Sequence, residues 1–198
     1  NLTYDFIREV QDRFDWSKVS FYFEKLSEDF IREFQDKVQW NNVSHFQELS
    51  EDFIREFQDK VNWSSISRYQ KLSEDFIREF QDKLINNYKN NWSNISKKQK
   101  LSEDFIREFQ DKVDWREISK NQELSEDFIR EFQDKVDWGY ISEYKKLSED
   151  FIREFKDKVD WFIISKYQRK IFSKQFLIDS LKYAKLKNKK RSNKLDVY

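Results

Sequence analysis

The sequence lacks the residues that most often break or cross-link a chain. Its 198 residues include no proline, no cysteine, no methionine and a single glycine. Sheets and irregular loops usually need glycine and proline at their turns, so this composition favours helices joined by short, capped turns. Without cysteine the chain has no disulfide framework and no thiolate metal site, which fits a reducing compartment.

Long hydrophobic runs are also missing. No stretch approaches the roughly 18 apolar residues that a membrane-spanning helix needs. The first residues, Asn1-Leu2-Thr3-Tyr4, have no signal-peptide character, and the missing initiator methionine is compatible with a start inside a longer protein. We therefore expect an intracellular chain, cytoplasmic or nuclear, with no membrane contact.

Charge is balanced over the whole chain and uneven along it. Lys and Arg number 38, as do Asp and Glu, and aromatic residues make up 18%, which argues against disorder. Residues 166–198 contain 11 basic and 2 acidic side chains, a net charge of +9. The preceding residues therefore carry −9, so an acidic array precedes a basic tail.

A 23-residue unit recurs seven times. The unit begins at a leucine, and most copies follow one another at intervals of 23 residues: Leu2, Leu26, Leu49, Leu72, Leu101, Leu124, Leu147. The first copy has one extra residue, and the fourth has six extra residues around 85–91. A fixed period of this length is typical of solenoids and similar arrays.

Two helix starts can be found in each unit, for example in the copy that begins at Leu101. Ser102 precedes two acidic residues and an apolar helical pattern, which predicts an N-cap and a first helix over 103–112. Asp114 is a second candidate N-cap, and it predicts a second helix from Trp115 to about Gln122. A strand over the second element is a weaker alternative, because apolar residues alternate there.

These patterns predict an all-α fold, an αα-hairpin repeat solenoid (superhelix) with a C-terminal capping helix. The solenoid spans 2–170, the capping helix 171–186 and a basic, flexible tail 187–198. The cap is expected to turn Phe176, Leu177, Leu181 and Ala184 inward. The paired Phe residues and one Trp per unit should form a continuous core, because helices this short need stacking for stability. A stacking platform for nucleic-acid bases is the alternative role for these aromatic residues.

The strings LSEDFIREFQDKVDW and IS-x-YQK resemble short tandem repeats in uncharacterised proteins of mimivirus-like giant viruses, some phages and bacteria. The resemblance covers about residues 2–170. It implies an αα-repeat fold and a virus-encoded protein in a host cell. It brings no established activity and no catalytic residue. The insertion in the fourth unit and the degenerate first unit depart from the pattern.

Recurring and changing positions separate clearly within the unit. Glu103, Asp104, Arg107, Glu108 and Asp111 recur in most copies although they are expected to face water, which we attribute to recent duplication. Change concentrates just after each Trp and just after the Ser of the second helix. On a helix these positions lie together, away from the Trp and Ile stripe.

Variable side chains at fixed places on a rigid repeat are typical of arrays that bind a partner. We therefore predict a non-enzymatic scaffold that binds a protein through the second helices. The candidate partner-binding residues are Lys18, Asn42, His45, Ser65, Arg68, Asn94, Lys97, Arg116, Glu117, Lys120, Tyr140 and Glu143. Free drift of an exposed face is the competing explanation. Phe162 and Ile163 argue against it, unless they pack beneath the capping helix.

No pattern indicates an enzyme, a cofactor site or a metal site. His45 is the one histidine and it occupies a variable position, while the recurring Ser residues are explained as helix caps. One glycine cannot build a phosphate-binding loop, and no EF-hand spacing occurs.

Nucleic-acid binding is the alternative function. Helical repeats that read one base per unit exist, and the tail offers a basic patch: Lys185, Lys187, Lys189, Lys190, Arg191 and Lys194. The net charge of −9 on the array opposes this alternative, since it repels phosphate.

Overall fold

The computed structural model describes residues 4–13, 15, 16, 18, 25–85, 91–167, 173, 175, 176, 178 and 183. The chain divides into two compact units, Asn1–Gln99 and Lys100–Tyr198. Within these described residues every regular element is a helix and no strand occurs. In each unit the second helices of successive repeats pack side by side. The predicted all-α fold of αα-hairpin repeats is therefore confirmed.

Helix α1 is the first helix of the first repeat, from α2 on first and second helices alternate, and α7 is an addition in the fourth repeat. The first unit contains α1 Tyr4–Val10, α2 Glu28–Glu33, α3 Trp40–Phe46, α4 Glu51–Glu56, α5 Trp63–Tyr69, α6 Glu74–Glu79, α7 Gln81–Ile85 and α8 Asn91–Lys98. The second unit contains α9 Glu103–Glu108, α10 Trp115–Asn121, α11 Glu126–Glu131, α12 Trp138–Tyr144, α13 Glu149–Glu154 and α14 Trp161–Tyr167. None of these helices is long and apolar enough to cross a membrane.

The first helix is shorter than the predicted 103–112. Helix α9 begins after Ser102, whose hydroxyl accepts the Phe105 N–H at 3.1 Å, as predicted for an N-cap. It ends at Glu108, and the following residues form a turn in which the Val113 N–H donates to the Phe109 carbonyl at 3.0 Å. The Gln110 carbonyl is then open to the Trp115 indole N–H, which donates to it at 2.9 Å. This bond spans five residues within one repeat and accompanies the early end of the helix.

The second helix follows the prediction closely. Asp114 caps α10 by accepting the backbone N–H groups of Arg116 and Glu117 at 3.0 and 3.2 Å. The helix ends at Asn121, one residue before the predicted end. The strand alternative for this element is wrong, because the backbone hydrogen bonds that follow the Asp114 cap are helical.

Aromatic rings join successive repeats in the core. Phe105, Phe128 and Phe151 are fully buried. The Trp115 ring lies 6.2 Å from Phe128 and 4.9 Å from Phe132, both in the next repeat. The predicted role of these aromatic residues in the core is confirmed, with the difference that Trp115 itself is half-buried.

The end of the second unit repeats the same contacts where it is described. The Ser173 hydroxyl accepts the Phe176 N–H at 3.2 Å, Phe176 is buried, and its ring lies 6.1 Å from Trp161. Leu177, Leu181 and Ala184 lie outside the described residues, as do 86–90 of the insertion. The basic tail with Lys185, Lys187, Lys189, Lys190, Arg191 and Lys194 also lies outside them.

Candidate interaction surface on the second helices

The recurring polar residues of the first helices and of the turns after them bind the next repeat. Arg107 donates to Glu131 at 2.8 Å, an ion pair that raises the pKa of the guanidinium. The Glu103 carboxylate accepts the Ser125 backbone N–H at 2.6 Å. Asp111 pairs with Lys135 at 3.2 Å. These contacts explain the recurrence of such residues structurally, where the sequence had suggested only recent duplication.

A buried serine on some second helices binds the start of the neighbouring second helix. The Ser119 hydroxyl donates to the Trp115 carbonyl at 2.6 Å and accepts the Asp137 backbone N–H at 2.9 Å. Ser142 repeats this arrangement with Trp138 and Asp160. In the second unit each second helix is thus held in register with the next one, which gives side chains on this face a fixed spacing.

A buried glutamine after the second helix forms another bridge between repeats. The Gln70 side-chain oxygen accepts the Leu49 N–H at 3.0 Å, while its nitrogen donates to the carbonyls of Ser44 and Gln47 at 3.1 and 2.8 Å. All three bonds reach the preceding part of the chain. We call this arrangement the glutamine bridge.

Lys145 replaces this glutamine in the sixth repeat. Its ammonium group donates to the carbonyls of Gln122 and Lys120, the latter at 3.4 Å. Burial lowers its pKa to about 8, against an ordinary value of 10.5, while Glu123 opposes this shift. An ammonium group has no acceptor, so it cannot accept a hydrogen bond from the Leu124 N–H in the way that the Gln70 oxygen accepts one from the Leu49 N–H.

The candidate partner-binding residues lie on the outer face of the second helices and none of them is buried. Lys18, Arg68, Lys97 and Arg116 are exposed. The others are partly exposed: Asn42, His45, Ser65, Asn94, Glu117, Lys120, Tyr140 and Glu143. We call this face the second-helix surface.

In the first unit the second-helix surface brings an aromatic cluster together. The His45 ring lies 4.2 Å from Phe46 on the same helix and 4.0 Å from Tyr69 on the next second helix. The Arg68 guanidinium lies 5.2 Å from the Tyr69 ring centroid. A predicted histidine and a predicted arginine thus share one patch across two repeats.

In the second unit, cations lie against tyrosine rings. Arg116 donates to the Tyr140 hydroxyl at 2.9 Å, which raises the pKa of the guanidinium. The Lys120 ammonium lies 5.3 Å from the Tyr140 ring and 5.8 Å from the Tyr144 ring. Three predicted residues from two helices therefore meet here. Phe162 is 73% exposed, which argues against the alternative that it packs beneath the capping helix.

Sequence reasoning missed a set of exposed aromatic residues, two in each unit. These residues follow the variable position after the serine: Phe46, Tyr69, Tyr144 and Tyr167. Their recurrence as aromatics at a position outside the Trp and Ile stripe was the available signal. Exposed aromatic side chains at fixed spacing are typical of protein interfaces.

The described residues contain no group of three or more His, Asp or Glu side chains that could hold a metal ion. The His45 ring contacts the Phe46 and Tyr69 rings. Comparison with protein-family models, with curated proteins and with solved structures found no match to the chain.

Proposed function

We propose that the chain is a non-enzymatic repeat scaffold that binds a protein partner through the second-helix surface. The supporting observation is that recurring and variable residues have different roles within each repeat. Recurring polar residues such as Arg107 and Glu103 are bonded to the next repeat, whereas the variable residues project outward beside exposed aromatics. A rigid frame with variable exposed positions suits selective protein binding. The lack of cysteine makes an intracellular site, cytoplasmic or nuclear, part of this proposal.

Selection from a displayed peptide library on the immobilised chain tests the proposal. Selected peptides are then bound to the variants Arg68→Ala, Arg116→Ala and Tyr140→Ala by fluorescence anisotropy. We expect a loss of about tenfold or more in affinity for at least one variant, because Arg and Tyr often dominate interfaces. Asp52→Ala is the matched control, since Asp52 is 93% exposed on a first helix. Equal binding to all variants would contradict the proposal.

A nucleic-acid ligand is the second candidate, and the cations over the Tyr140 and Tyr144 rings favour it. Single-strand binding proteins combine such cations with rings on which bases stack. Anisotropy with labelled single-stranded RNA and duplex DNA tests this, for the whole chain and for a chain that lacks 187–198. Tight binding that survives near-physiological salt and the truncation would favour nucleic acid over a protein partner.

A further inference from the structure

The first unit separates its charges between the two kinds of helix. From the second repeat on, each first helix contains three carboxylates and one arginine, in the sequence Glu-Asp-Phe-Ile-Arg-Glu. The second helices of the same repeats, α3, α5 and α8, contain no carboxylate. They carry Arg68, Lys97 and Lys98 instead. The second-helix surface of this unit is thus cationic although the array as a whole is acidic.

Ion pairing differs in the same way. The cations of the first helices and of the turns after them are neutralised within the fold: Arg32 lies 2.8 Å from Glu56 and 3.0 Å from Asp29, and Lys60 lies 3.1 Å from Asp36. Over the described ranges, by contrast, no carboxylate lies within ion-pair distance of the side chains of Arg68, Lys97 or Lys98. We call these three residues the cationic patch. Its charges are exposed and available to an anion from outside.

An aromatic cluster borders the cationic patch. Phe46 and Tyr69 are 43% and 42% exposed, and the His45 ring lies 4.0 Å from Tyr69. An anion that carries only charge would leave these rings in water. A ligand with both carboxylates and an apolar or aromatic side chain would cover the rings and neutralise the cations together.

We propose that the cationic patch and its aromatic cluster bind an acidic peptide segment that carries an apolar or aromatic anchor. This inference rests on the proposed function and names the chemistry of the partner. A nucleic acid fits less well, because its affinity depends on many neutralised phosphates. The patch offers three cations, and the carboxylates of the neighbouring first helices repel a long polyanion.

Fluorescence anisotropy with a labelled peptide in which Glu alternates with Leu and Tyr tests this inference. A peptide with Gln in place of every Glu is the matched control ligand. We expect the acidic peptide to bind about tenfold more tightly than the Gln peptide, because complementary charges across an interface give specificity. Arg68→Glu and Lys97→Glu should each reduce that affinity by about tenfold.

Lys156→Glu is the matched control variant. Lys156 is exposed at the turn after α13 in the second unit, so the substitution makes the same change in net charge outside the cationic patch. We expect it to leave binding of the acidic peptide unchanged. Equal losses for Lys156→Glu and Lys97→Glu would overturn the inference, since they would show attraction by net charge alone.

Other outcomes distinguish between possible ligands of the cationic patch. Stronger binding of a single-stranded oligonucleotide at near-physiological salt would overturn the acidic-peptide inference in favour of nucleic acid. Concentration-dependent self-association without peptide binding would overturn it in favour of a second copy. If library peptides bind the second-helix surface but carry no excess of acidic residues, the proposed function stands and this inference fails. If no library peptide depends on that surface, the proposed function itself fails.

Discussion

At the scale of single residues, the glutamine bridge shows how a buried polar side chain stabilises the stack. Gln70 is buried and makes one accepted and two donated bonds to backbone groups. Each such bond contributes about 0.5–1.5 kcal/mol to stability, and a buried donor or acceptor left without a partner costs more. Lys145 in the sixth repeat supplies donors alone and places a charge where the other described bridges have an amide.

We predict that Lys145→Gln stabilises the second unit and changes its response to pH. The folded pKa of Lys145 is about 8 and its ordinary value is 10.5. Below pH 8 both states are protonated, and the folded state bears the full cost of the buried charge. Between these two values the unfolded chain binds more protons, so the free energy of unfolding of the natural protein rises with pH.

Lys145→Gln should therefore raise the free energy of unfolding at pH 7 by on the order of 2 kcal/mol, and the gain should shrink towards pH 10.5. Denaturant unfolding of both proteins across this pH range measures the difference. The exposed Lys146→Gln removes the same charge and is expected to change nothing. A gain that is constant with pH would show that burial of the Lys145 charge is not its origin.

At the scale of helices, local capping decides where each element begins. The Asp137 side chain accepts the Tyr140 N–H at 3.2 Å at the start of α12. Gln39, at the same place before α3, makes no side-chain cap. A longer amide side chain is a poor N-cap, whereas Asp both accepts the N–H and suits the helix dipole.

We predict that Gln39→Asp raises the free energy of unfolding by about 0.5–1 kcal/mol, because it supplies the missing cap of α3. The reciprocal variant Asp137→Gln should lower it by about 1 kcal/mol. Urea unfolding at pH 7 measures both. Two changes of the same sign would show that neighbouring contacts, and not capping, control these positions.

The helix starts were predictable from sequence and the first-helix ends were not, for a physical reason. Caps such as Ser102 and Asp114 act within three residues, so the local sequence contains all the information. The end of α9 at Glu108 is followed by a turn and by the Trp115 indole bond to the Gln110 carbonyl, neither of which the apolar helical pattern indicates. The partners of Arg107 and Glu103 lie 24 and 22 residues away, so their bonds were invisible in a local pattern.

The candidate surface likewise contains some features that were predictable from the sequence and others that were not. The positions of Arg68 and Arg116 were predictable, because variation between copies marks an exposed helix face. Tyr140 was predicted as well, but its bond with Arg116 was found only once neighbouring second helices lay side by side, and the exposed Tyr69 ring beside Arg68 was missed. Exposure of Phe162 was also unpredictable, since an apolar residue near a chain end gave no sign of whether a later segment would cover it.

At the scale of the whole molecule, each unit is a stack in which a repeat contacts its neighbours. Phe128 is fully buried, its ring lies 6.2 Å from Trp115 of the preceding repeat, and the Arg107 guanidinium lies 5.0 Å from the same ring. A defect at Phe128 therefore acts first on two adjacent repeats. Stability of such arrays is approximately a sum of repeat and neighbour terms.

We predict that Phe128→Ala lowers the free energy of unfolding by about 3–5 kcal/mol and loosens the second unit unevenly. Hydrogen exchange measured by mass spectrometry should show the greatest loss of protection in α10, α11 and α12, and a smaller loss in α14. The reason is that the lost ring contacts belong to the first two repeats of this unit, while α14 keeps its own neighbours.

Phe162→Ala is the matched control, because it removes the same side chain from a position that is 73% exposed and should leave protection unchanged. A uniform loss of protection over 101–167 in Phe128→Ala would contradict the neighbour-coupled stack. It would mean that the second unit opens in one cooperative step, and the fixed spacing of the second-helix surface would then depend on every repeat of the unit at once.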